Sequence, residues 1–192
     1  MTGCRIALAT ALFIIALGSP SPTYAIDDAS MPTATAVSPP GPHDFDFEFG
    51  TWRVHHRVRR AAPDTWLEFD GTCTARSLMD GLANVEDHMF DKPTGISRGV
   101  GLRAYDPKSG LWAIWWIDGR DPHGSLDPPV KGRFVNGVGT FYSDGTLGGK
   151  PVRTRFTWSH ITATSARWEQ AYSYDAGTIW DTNWVMDFSR IP

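Results

Sequence analysis

Cysteine is nearly missing from this chain of 192 residues. There are two, and Cys4 falls within the first 25 residues, so Cys73 is left without an intrachain partner once that segment is removed. No disulfide can then brace the folded part, and its stability must come from a core, which about 150 residues can supply. Long hydrophobic runs are scarce too. The run Ile6 to Leu17 is too short for a membrane crossing, which takes about 20 residues. Positive charge is thin: the net charge is −3, the basic cluster Arg53 to Arg60 is local, and no basic stripe exists, which excludes nucleic acid as a partner. Also lacking are an extended helical period flanked by caps and any spacing of His and Cys that would predict a metal site.

What is present begins with a secretory pattern. Arg5 precedes the apolar run, Gly18 to Pro22 break any helix, and Thr23-Tyr24-Ala25 supplies a peptidase site, so residues 1–25 read as a signal peptide cleaved after Ala25. The mature protein is expected to be secreted or periplasmic, with no stable membrane anchor. Its charge is one unit more negative, because the signal carries Arg5 and no acid. Residues 26–42, with prolines at 32, 39, 40 and 42, read as a disordered leader that cannot bury enough apolar surface to offset its ordering entropy. One domain is expected over 43–192. Its opening, Asp44-Phe45-Asp46-Phe47-Glu48-Phe49, alternates like a strand yet sets Phe45 and Phe49 one helical turn apart, and both readings stand.

From Thr51 onward, short strand-like runs alternate with turns: 51–60, 66–77, 83–90, 99–105, 111–117, 131–135, 138–143, 152–159, 165–173 and 179–189. Turns are marked by Asp80-Gly81, Lys92-Pro93-Thr94-Gly95, Asp106 to Gly110, Asn136-Gly137, Ser143-Asp144-Gly145 and Asp175-Ala176-Gly177. The fold class is all-β: an antiparallel up-and-down β-barrel of about 8–10 strands, since closure removes exposed edges. Leu111-Trp112-Ala113-Ile114-Trp115-Trp116-Ile117 is apolar on both faces, which predicts either a core on each side or a filled lumen within and a covering layer without. Nine tryptophans, all between Trp52 and Trp184, suit a wide interior with flat apolar walls.

The series Asp46-Phe47-Glu48-Phe49-Gly50-Thr51-Trp52-Arg53-Val54, Tyr105-Asp106-Pro107, Leu111 to Trp116, and Ser173 to Trp180 running into Asn183-Trp184 resembles the DUF1579-like family of uncharacterised bacterial proteins over roughly residues 44–190. The resemblance implies a lipocalin-like, calycin barrel with an internal cavity and no settled activity. It also implies that Trp52 closes one barrel end with Arg190 packed over it. Nitrobindin-like haem barrels share the Gly-Thr-Trp start but continue with a glycine-x-glycine that Val54-His55-His56 lacks, so no haem and no other cofactor is expected.

Among chemistry-bearing residues, Gly95-Ile96-Ser97-Arg98-Gly99 matches a nucleophile elbow by letters alone, because a hairpin leads into another strand where that motif needs a strand-to-helix turn. His55 and His56 point to opposite faces of a strand and cannot chelate one ion together. Cys73, between threonines, reads as a small buried apolar residue. Better placed are Asn84, Glu86 and His88, which share one strand face; Glu86 and His88 there are poised to hold a polar ligand or to pass a proton. Arg103 and Arg155 are the expected counter-charges for Glu86 or Glu169, or grips for an anion. Trp115, Trp168 and Trp184 are expected cavity walls. The leading expectation is a small-molecule carrier whose ligand meets Asn84, Glu86, His88, Arg103, Trp115, Arg155, Glu169 and Trp184. The alternative is an acid–base enzyme with Glu86, His88 or Glu169 as catalytic groups. A third reading makes the outer tryptophan face a protein interface, for instance in a homodimer.

Overall fold

The structure, a computed structural model, describes residues 41–59 and 65–192. The expected signal peptide and nearly all of the leader lie outside these residues. Gly41 and Pro42, assigned to the leader from sequence, instead belong to the folded part: both are half-buried, and the Gly41 carbonyl accepts the Trp112 indole N–H at 3.3 Å.

Ten strands close into one antiparallel barrel in which each strand pairs with its neighbours in sequence and the last returns to the first. They are β1 (Gly50–Arg59), β2 (Trp66–Leu78), β3 (Ala83–Lys92), β4 (Gly95–Asp106), β5 (Leu111–Asp118), β6 (Val130–Val135), β7 (Val138–Leu147), β8 (Lys150–Ser159), β9 (Ser165–Ser173) and β10 (Asp181–Arg190). The strand runs expected from the sequence correspond to these ten. The turns at Asn136-Gly137 and Asp106 to Gly110 also fall where expected; Asn136 and Gly137 both take positive φ, as a two-residue hairpin turn requires. Ser143-Asp144-Gly145 is not a turn. It pairs with Thr154, Arg153 and Val152, and the chain reverses at Gly148-Gly149, where both residues take positive φ.

One end of the barrel is closed. The segment before β1 forms a short 3₁₀ helix, Asp46–Glu48, which satisfies neither open reading of the Phe-rich stretch in full. It turns Phe45 into the core, edge-on to Trp112 and to Phe134, each at 5.0 Å between ring centroids. Trp52, fully buried, donates its indole N–H to the Glu48 carbonyl at 2.6 Å. Arg190 lies over Trp52 with Cζ 4.1 Å from the ring centroid and donates to the carbonyls of Phe47, Phe49 and Ala163. The expected closure of Trp52 by Arg190 is therefore present.

The other end is open because ten strands enclose more width than side chains fill, whereas about eight leave an interior that side chains can fill. The lower half is packed by Trp52, Trp112, Trp158, Phe141 and Phe45. The upper half keeps a cavity of about 250 Å³. The wall is thinnest between β5 and β6, which pair only from Trp112↔Gly132 to Ile114↔Val130. Beyond Ile114 no β6 residue remains, and the segment 119–129 bridges the gap. On β5 the expected covering layer is not found among the described residues: Leu111, Ala113, Trp115 and Ile117 sit half-buried on the outer wall.

Candidate functional site

The strand period decides which side chains enter the lumen. On β3 it sends in Asn84, Glu86, His88 and Phe90; on β4, Gly99, Gly101 and Arg103; on β1, Trp52, Val54 and His56. Glycine opposite a large inward residue leaves it room. Gly101 pairs with Glu86, and a Cβ added there would lie 2.2 Å from Glu86 Oε1.

These elements and the 3₁₀ plug bring together a buried polar cluster at the cavity floor. The Arg103 guanidinium, 1% exposed, forks onto Glu48 with both terminal nitrogens, reaching Oε2 through Nη1 and Oε1 through Nη2, the latter at 3.3 Å. Nη1 also donates to Asn84 Oδ1 at 3.1 Å, and Nη2 to Glu86 Oε2. The cation lies against the faces of Phe45 and Trp158, 4.3 and 5.5 Å from their centroids.

Two carboxyls on one guanidinium cannot both be ionised cheaply in so dry a place. Burial pushes the Glu48 carboxyl well above the usual carboxylate range; Arg103 draws it back and Glu86 pushes it further up. Burial acts on Glu86 in the same direction, but attraction to Arg103 and His88 outweighs it and holds that carboxyl well below the usual range. Glu48 is the more deeply buried of the two, at 1% exposure against 7% for Glu86, and Arg103 pairs with both. Glu86 Oε2 is held by Arg103, while Oε1 has no hydrogen-bond partner among the described residues. Glu86 is itself one of the residues that line the cavity.

His88, 1% exposed, brings Nε2 to 3.3 Å from Glu86 Oε2, but neither ring nitrogen makes an aligned hydrogen bond among the described residues. Its ring stacks on Phe90 at 5.6 Å. His56 points inward as well, fully buried, stacked on Phe69 at 4.7 Å and accepting the Trp184 indole N–H at 3.3 Å. Burial, with His88, His55 and Lys92 adding to it, pulls His56 down to about 3, so it is neutral at physiological pH. His55 lies on the opposite face, 2.9 Å from Asp70, as strand parity dictates.

Above the floor the wall is aromatic. Trp116, Phe90, Trp184, Trp168 and Phe156 form a continuous series, each ring 4.8 to 6.0 Å from the next. Ile114, Val130 and Met186 complete the wall, and Thr154, Gln170, Tyr172 and Asp127 stand toward the mouth.

Of the residues singled out from sequence, Glu86, His88, Arg103, Trp168 and Trp184 line the cavity, and Asn84 supports it from beneath through Arg103. Trp115 has outward parity, beside Leu102, and reaches the cavity only at the thin β5–β6 wall. Arg155 and Glu169 require correction. Both point outward, because their neighbours Thr154, Phe156, Trp168 and Gln170 take the inward positions. Arg155 lies 4.4 Å over the Trp180 ring instead. Glu48 was not anticipated; its one signal was a carboxylate among phenylalanines in the segment leading into β1.

Cys73, Glu86 and His88 place one possible ligand atom each within 4.8 Å of one another. Their chemistry does not suit a cation. Burial pushes the Cys73 thiol far up, with Glu48 and Glu86 adding to the effect, and Arg103 occupies Glu86 with a fixed positive charge. Ser97, within the elbow-like string, lies in β4 opposite Phe90 with no helix after it.

No family model matches the sequence, and no curated protein does. Among solved structures, one described as EF1p2_mFAP2b bound to DFHBI is similar over 78% of this chain and 98% of its own, at 10% identity and a TM-score of 0.41. A likeness of that size adds nothing to the barrel topology given above.

Proposed function

We propose that this barrel carries a small organic molecule in its lumen, with the apolar body against the aromatic wall and one polar group on Glu86. The observation that carries this reading is a cavity of about 250 Å³ walled by Trp116, Trp168 and Trp184, with Glu86 and His88 among its lining residues. A dry apolar cavity of about 150 Å³ is enough to take up benzene, so this one has room for a substituted ring or a bicycle. The motif order shared with DUF1579-like proteins is consistent with a lipocalin-type carrier and brings no activity with it. Export, read from residues 1–25, belongs to the same proposal and is tested by N-terminal sequencing of the mature protein.

The test is a fluorescence titration of the mature chain with the neutral dye N-phenyl-1-naphthylamine. Saturable one-to-one uptake with energy transfer from tryptophan is expected, and it should be lost when Thr154→Trp fills the cavity. Dye uptake that is absent, or equal in the filled variant, would overturn the reading. A second function, acid–base chemistry on a bound substrate, is favoured by His88, which lines the cavity with Nε2 3.3 Å from Glu86 and no aligned hydrogen bond on either ring nitrogen.

A further inference from the structure

We infer that the ligand is a neutral hydroxyl compound, a phenol or an alcohol on an apolar ring, whose oxygen accepts hydrogen bonds from the nitrogens at the cavity floor. This rests on the carriage reading above and names the chemical class it would serve. The first support is a set of unmatched donors. Among the side chains that line the cavity, Arg103 Nε, Trp158 Nε1 and both ring nitrogens of His88 are buried without a hydrogen-bond partner among the described residues. They come from β4, β8 and β3 and meet at one level of the barrel. The Arg103 guanidinium lies 5.5 Å from the Trp158 ring centroid, and Phe188 adjoins Trp158 at 5.1 Å and His88 at 6.3 Å. Guanidinium and indole nitrogens only donate, and a neutral imidazole donates through one nitrogen and accepts through the other. The unmatched groups are therefore mostly donors. A buried N–H without an acceptor is costly, and a ligand oxygen placed among them relieves that cost.

Charge decides between an ionic and a neutral oxygen. The Arg103 cation is already answered by Glu48 and Glu86, so neither a carboxylate nor an ammonium group would find an unpaired opposite charge at the floor. A charged ligand would lose its hydration there without an equivalent return.

The third support is Glu86, which separates a hydroxyl from a carbonyl. Arg103 Nη2 donates to its Oε2, and a carboxylate has room to accept further hydrogen bonds. A carbonyl would bring only lone pairs beside that group. A hydroxyl accepts from the nitrogens and donates its own proton to Glu86 or to the accepting nitrogen of His88. The aromatic wall begins directly above, with Phe90 stacked on His88 at 5.6 Å, and takes the apolar ring.

The experiment uses p-cresol, 4-methylanisole and p-xylene, which share one ring and carry a group that donates and accepts, one that only accepts, and one that does neither. Each displaces the naphthylamine dye from the mature protein, beside 4-methylbenzoate and 4-methylbenzylammonium as the charged counterparts. p-Cresol is expected to bind about tenfold tighter than p-xylene, although transfer from water favours p-xylene, with 4-methylanisole between them and both ions weaker than p-cresol. Trp158→Phe and His88→Phe each remove a polar nitrogen and keep a ring, and at least one of them should lower the ratio of p-cresol to p-xylene affinity by roughly threefold or more. The ratio is read because the space opened by a smaller ring acts on both probes; where a variant does not fold, the wild-type series decides alone. p-Xylene or 4-methylanisole binding as tightly as p-cresol overturns the inference. So does either ion binding more tightly, a ratio unchanged in both folded variants, or failure of all these probes while the dye binds; in each case carriage stands. Failure of the dye together with every probe overturns carriage and the inference together.

Discussion

Glu48 and Glu86, one on the 3₁₀ plug and one on β3, grip the same guanidinium. The plug is thereby fastened to the barrel wall through Arg103, and the floor of the cavity is set by the same bonds. Closure of the lower end and presentation of Glu86 to the upper end are one arrangement.

Removing Arg103 alone should be severe. Arg103→Met leaves the two carboxyls facing each other without their cation, and a loss of about 3–5 kcal/mol in urea unfolding is expected. The triple variant Arg103→Met, Glu48→Gln, Glu86→Gln should recover most of that loss, since a buried ionic group contributes little net stability over a neutral replacement. If the triple variant is no more stable than the single one, the loss lies in packing against Phe45 and Trp158 and not in charge.

The pH dependence follows from His56. Its folded value, about 3, lies below the ordinary 6.5, so the folded state refuses a proton that the unfolded chain accepts. The His56 contribution is therefore full above pH 6.5 and declines as pH falls toward 3. Glu86, also held low, acts in the same sense below the usual carboxylate range, and Glu48, held high, acts in the opposite sense. Between pH 6.5 and 5 the His56 effect alone amounts to about 2 kcal/mol. His56→Phe, which keeps the stack on Phe69, should flatten unfolding free energy over that interval; an unchanged slope would remove His56 as its source.

At the closed end, Arg190→Ala removes a cation from the face of Trp52 and leaves the carbonyls of Phe47 and Phe49 short of a donor. A destabilisation of about 2 kcal/mol is expected by thermal or urea unfolding, with dye affinity unchanged. Loss of dye binding at full stability would show that this end shapes the cavity more directly than its distance from the floor cluster implies.

The strand order was legible because turn chemistry and alternation agree along nearly the whole chain, and Asn84, Glu86 and His88 were legible as one face by period alone. Alternation cannot say which face is the lumen when both carry charge. Arg155 and Glu169 fell on the wrong side for that reason: the flanking Phe156, Trp168 and Gln170 take the inner positions, and nothing in either strand's pattern outweighs that ambiguity. Ser143-Asp144-Gly145 has the composition of a turn, but Gly148-Gly149 offers two adjacent residues free to take positive φ, and the hairpin closes there. Glu48 was out of reach because its role depends on a tertiary meeting with Arg103 across the barrel, which no local pattern encodes.

The most direct test of carriage is native mass spectrometry of the protein isolated from its own host, wild type beside Thr154→Trp. The account expects wild type to hold one small molecule per chain, released on unfolding, and the filled variant to show the mass of the polypeptide alone. A wild-type chain that emerges bare, and that takes up no naphthylamine when offered it, would contradict the account.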